Sequence, residues 1–167
     1  MEPEVEHPGD ERAVELRRER NTMALYVSIC LLAALAAIPT ADSSHARVLE
    51  IVWGVTLGLA LAHWFAFRVA TRLVGAGGIG RRDLDLAGAQ LTGAVVVAAL
   101  ASAAVLVVPE SAELEVTELV LALFVAGVGF VAMRGGGGSR ARAALYAAVV
   151  LAVAVAVVLV KNALAGH

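Results

Sequence analysis

His63 is the one ionisable side chain set well inside an apolar run of this sequence, in the stretch between Glu50 and Arg68. An imidazole in such a place can do one of two things. It can stay neutral and hydrogen-bond a hydroxyl or carbonyl of a neighbouring helix, or it can line a wet path and exchange a proton, because an imidazole's ordinary pKa is about 6.5. At about 100° per residue, Thr56, Ala60, His63, Phe67 and Ala70 fall on one helical stripe, and Glu50, Leu57, Leu61 and Arg68 on another. His63 and Thr56 are therefore the candidate functional residues within the membrane, and no carboxylate of that run shares their face. His63 lies about 7–8 Å along the axis from Arg68, off the midplane, which lowers the cost of burying it and favours the packing role.

Three other groups have types and spacings that can act. Gly54, Gly58 and Ala62 begin a series of small residues at every fourth position, a GxxxG pattern that lets two helix backbones approach closely. Glu110, Glu113, Glu115 and Glu118 follow one another with no Lys or Arg among them. A solvated acidic loop is the expected state, and a vestibule that attracts cations is the functional alternative. Arg81, Arg82, Arg134, Arg140 and Arg142 lie in two glycine-rich turns, where they anchor topology and can hold anionic lipid headgroups.

Several chemistries are excluded by what is missing. No HExxH, CxxC, GxSxG or Walker sequence occurs, and His7, His45, His63 and His167 have no metal-ligand spacing. No catalytic residue, metal or cofactor is expected, because no nucleophile and base are paired within a span. Residues 75–80 formally match GxGxxG, but a helix precedes them where the nucleotide fingerprint needs a strand, so they read as a turn presenting Arg81 and Arg82. The net charge of −2 gives no basic field for nucleic acid. Cys30 is the only cysteine and reads as a small buried hydrophobe.

These residues must be positioned by membrane helices. The 167 residues are 60% hydrophobic and 17% charged, and the mean hydropathy is +0.82. Soluble domains are nearer half apolar and a quarter charged. The excess sits in five runs, which predict spans over about 21–41, 48–74, 86–108, 114–133 and 143–160. Isolated strands are excluded in lipid because their backbone groups would lack partners. The fourth run is short, so Leu114 to Thr117 must help it cross. The expected fold is an all-α membrane bundle of five transmembrane helices. It follows a juxtamembrane segment over residues 1–20, begins at 21 and ends at 164, with a tail over 165–167. Residues 1–10 read as a disordered acidic tail, with Asp10 capping a short helix that leads into the first span. The acidic lead-in favours an uncleaved first span over a signal peptide.

Basic residues alternate between many and few through the six segments flanking the spans. The lead-in, second and fourth loops carry arginines, while the first loop has only Arg47, the third none and the tail only Lys161. That pattern predicts a cytoplasmic N-terminus and an outer C-terminus. Arg over Lys with abundant Ala, Val and Gly fits a GC-rich bacterial genome. Spans two–three and four–five form hairpins of similar design, a resemblance that the Ala/Val background explains without a true repeat. The expected protein is a small multi-pass protein of the cell membrane, not an enzyme, whose partners are the bilayer, anionic lipids, and itself or a larger membrane complex docked on the second helix. The alternative is a homo-oligomeric ion or proton permeation protein with His63 facing the path.

Overall fold

The computed structural model describes residues 8–39, 44–73, 80–135 and 137–165. The rest of the expected acidic tail, most of the glycine turn over 75–80, and residues 166–167 lie outside these. Five helices follow in order: α1 (Pro8–Ala36), α2 (His45–Leu73), α3 (Arg81–Val107), α4 (Glu113–Gly135) and α5 (Arg140–Ala165), with no strand among the described residues. Over His45–Ala70, Arg81–Val107 and Glu113–Gly135, three of them are long and apolar enough to cross a membrane.

The helix limits follow from local chemistry. α1 begins at Pro8, two residues before the expected Asp10 cap, and runs unbroken past residue 20. Proline suits a first helical turn because its missing N–H is unused there, and Asp10 and Glu11 lie in that first turn, where the helix dipole favours negative charge. α1 stops at Ala36, ahead of Pro39, and its last carbonyls are taken by Ala37 and Ile38 in tighter bonds of 3.2 and 3.0 Å. α2 and α5 both open on serine. The Ser44 and Ser139 hydroxyls accept the Arg47 and Arg142 N–H groups at 3.3 Å. α3 takes Arg81 and Arg82 into its first turn, where Asp83 accepts the Gly80 N–H at 3.0 Å. α4 starts at Glu113, so Glu113, Glu115 and Glu118 stand on a helix rather than on the expected loop. Its uncharged run alone is too short, and the helix draws its length from the preceding turn.

The chain alternates direction, so one end of the bundle carries the starts of α1 and α3 and the other the starts of α2 and α4. The first is here termed the arginine end, the second the glutamate end. α1 is the hub and packs on α2, α3 and α4, while α5 lies mainly against α4. The core runs through Val27, Leu31 and Leu35 of α1, Val48 and Val52 of α2, and Ala94, Val97, Ala98 and Ala101 of α3. α1 and α3 approach closely at Gly93 of α3. A Cβ there would run into the Arg20 carbonyl oxygen of α1 and lie 3.2 Å from the Ala24 amide nitrogen. Lipid gives helices no hydrophobic reason to associate, so a close, dispersion-rich contact of this kind is what holds them. Gly129 of α4 is filled in the same way by the Tyr146 ring of α5.

Candidate functional site: a cavity between α1, α2 and α3

α2 is part of the core only over its first half. Val48, Val52 and Thr56 are buried, whereas residues 61–66 are all exposed. A cavity of about 660 Å³ lies between that second half and helices α1 and α3. His63, Ala60 and Phe67 of the predicted stripe line it, with Trp64 beside them. Met23 and leucines of α2 and α3 supply the apolar wall, and Glu19, Asp83 and Gln90 supply polar groups from α1 and α3. Gln90 Nε2 donates to Glu19 Oε2 at 2.8 Å. At the arginine end beyond it, Arg82 pairs with Glu15 at 2.7 Å and Arg12 pairs with Asp85. Arg68 stacks on Trp64, its guanidinium carbon 4.8 Å from the ring centroid.

Thr56 does not join His63 in the cavity. It is 2% exposed, and its hydroxyl donates to the Val52 carbonyl at 2.6 Å. Ser28 and Thr92 do the same to Ala24 and Gly88, each at 2.8 Å. A hydroxyl in an apolar span satisfies itself most cheaply on its own helix, one turn back.

Gly54 and Gly58 stand on a different face. A Cβ at either would meet nothing within 4 Å, and Ala62 is exposed too. Among the described residues, nothing packs against the two glycines of this GxxxG.

At the glutamate end the four acidic residues divide. Glu110 and Glu115 are exposed, while Glu113 is 0% and Glu118 3% exposed. His45, at the start of α2, hydrogen-bonds Glu110 Oε1 from Nδ1 at 3.2 Å. The same Nδ1 lies 3.1 Å from Glu113 Oε2 but outside hydrogen-bonding geometry. Among the described residues, neither carboxylate oxygen of Glu113 nor the buried Thr117 hydroxyl has a hydrogen-bond partner. The acidic sequence is thus two buried carboxyls, one of them beside a histidine, as much as a solvated surface.

Of the arginines, Arg81, Arg82, Arg134, Arg140 and Arg142 are all exposed. Arg82 is engaged with Glu15, and Arg134 donates to the Gly138 carbonyl at 3.1 Å, bracing its own turn. Sequence reading passed over Glu19, Asp83, Gln90, His45 and Gly93. The lone amide of an uncharged span was a usable signal for Gln90. Glu19 and Asp83 gave none, because each sits among arginines and reads as ordinary interfacial charge.

Comparison with known proteins adds no relative to this arrangement: no family model matches the chain, and no curated protein or solved structure matches it.

Proposed function

We propose that the protein is a small, non-enzymatic membrane module that works by association, docking α2 onto a second copy of itself or onto a larger membrane complex. The supporting observation is the outward face of α2. Gly54 and Gly58 leave backbone bare, with nothing within 4 Å of a Cβ position, and large apolar side chains such as Leu61 and Phe65 flank them about two-thirds exposed. Close backbone approach is the interaction a bilayer rewards, and this surface offers it unused. Leucine at both glycines would block that approach while leaving the chain's own contacts alone. Energy transfer between labelled copies in liposomes, and copurification of native partners, should both fall several-fold in the Gly54→Leu, Gly58→Leu variant. Unchanged association in both assays would exclude α2 as the docking helix.

All five helices cross the bilayer in this reading, with the arginine end cytoplasmic and the C-terminus outside. The basic-residue count supports it, and alternating helix directions gather the arginine-bearing turns at one end. With Cys30 replaced, a cysteine at Ser111 should be labelled from outside intact cells and one at Ser139 only after permeabilisation. Exposed Arg81, Arg140 and Arg142 are then placed to meet anionic headgroups, and native mass spectrometry should find such lipids retained.

A second reading, ion or proton permeation by an oligomer, is favoured by His63 lining the cavity. Against it, the stripe ends at a buried, internally bonded Thr56, which offers a path no continuation. In proteoliposomes, a pH-dependent flux that His63→Ala abolishes would move permeation to first place.

A further inference from the structure

We propose that the cavity between α1, α2 and α3 binds a small amphipathic organic cation, its apolar body against the leucine and aromatic wall and its charge against Glu19 and Asp83. The volume, about 660 Å³, falls within the usual range for drug-sized ligands. The walls are graded. Leu57 and Leu61 line it on α2, and the acidic groups come from Asp83, in the first turn of α3, and Glu19, in the charged half of α1. A ligand entering sideways from the inner leaflet keeps its charged end toward the headgroups, as the bilayer's own polarity gradient requires. Apart from the titratable His63, the charged groups lining the cavity have one sign. Glu19 and Asp83 are there, and no Arg or Lys is among the described lining residues, although arginines crowd this end of the bundle. Of those arginines, Arg12 and Arg82 pair with carboxylates outside the lining and Arg68 stacks on the Trp64 ring. A phosphate-bearing lipid would meet two carboxylates and, besides the His63 imidazole, no basic side chain among the described lining residues. A soft, weakly hydrated cation would meet carboxylates beside an apolar wall that includes Leu57, Leu61 and Phe67.

The site can be read through Trp64, because the chain has two tryptophans and Trp53→Phe leaves Trp64 alone. Tetraphenylphosphonium and tetraphenylborate share a shape and differ in the sign of charge. The purified full-length Trp53→Phe protein in detergent should show saturable quenching by the phosphonium and none by the borate at the same concentrations. Glu19→Gln with Asp83→Asn should weaken phosphonium binding at least about tenfold, the effect of one charge-assisted contact. Gly88→Leu serves if that pair disturbs folding. Gly88 lines the cavity with nothing within 4 Å of a Cβ, so leucine enters empty space and should abolish saturation at a melting point no lower than that of the Trp53→Phe protein. Quenching by the borate at equal concentration, non-saturable quenching by the phosphonium, or full affinity in both variants would overturn the proposal.

Discussion

Small residues do opposite work at two places in this bundle. At Gly93 the missing side chain is used, and the α1 backbone occupies the space a Cβ would need. At Gly54 and Gly58 the missing side chains are offered, and nothing among the described residues takes them up. The sequence pattern is the stronger at the second place, a full GxxxG, while Gly93 sits in an unremarked Thr-Gly-Ala. A small-residue motif therefore states a capacity for close approach. Only an opposing helix with its own smooth face converts that capacity into a contact.

The largest test of this contrast is Gly93→Leu. It forces α1 and α3 apart against a backbone that cannot swing aside, an overpacking cost of about 1–3 kcal/mol or more. The unfolding midpoint in detergent should fall clearly below wild type, and an unchanged midpoint would mean that the seam between the two helices is not tight. The glutamate end asks whether stability is shared beyond that seam. His45→Ala removes the imidazole 3.1 Å from the buried Glu113 carboxyl, leaves that group without its ion-pair contact, and should lower the midpoint. Glu113→Leu removes the buried polar group and should cost less, or raise the midpoint. Measured at one pH, the reverse order would show the carboxyl itself to be a fastener.

A paired alanine series sharpens the comparison at smaller scale. Gly93→Ala should lower the midpoint, whereas Gly54→Ala and Gly58→Ala should each raise it by up to about 1 kcal/mol through helix propensity alone. If the three shifts share a sign, the two kinds of glycine are not different. The smallest effect is expected at Arg82→Ala. Its pair with Glu15 is exposed and screened, so the midpoint should stay within error at low and high salt alike.

Much of the fold was legible because it depends on quantities carried by single residues. The five helices follow the five apolar runs, and the extension of the fourth back through Leu114 was required by length. Errors came where a neighbour decided. The four glutamates read as one solvated loop, yet Glu113 and Glu118 turn inward once α4 starts at residue 113 and presents every third or fourth position to the core. Ala60, His63 and Phe67 of the predicted stripe line a cavity, but Thr56 does not join them, because helix phase says nothing about how soon a helix leaves its neighbours. The polar members of the cavity, Glu19 and Asp83, were hidden among arginines whose pairing only the packed helices reveal.

Sequence alone determined that this chain forms apolar helices, roughly where each begins and ends, and which turns are arginine-rich. Those properties are sums of transfer and backbone terms that each residue contributes by itself. Tertiary structure alone decided which glycine is filled, which glutamate is buried and that a cavity opens beside His63. These depend on surfaces brought together from helices distant in sequence, and a face has no partner until another helix is laid against it.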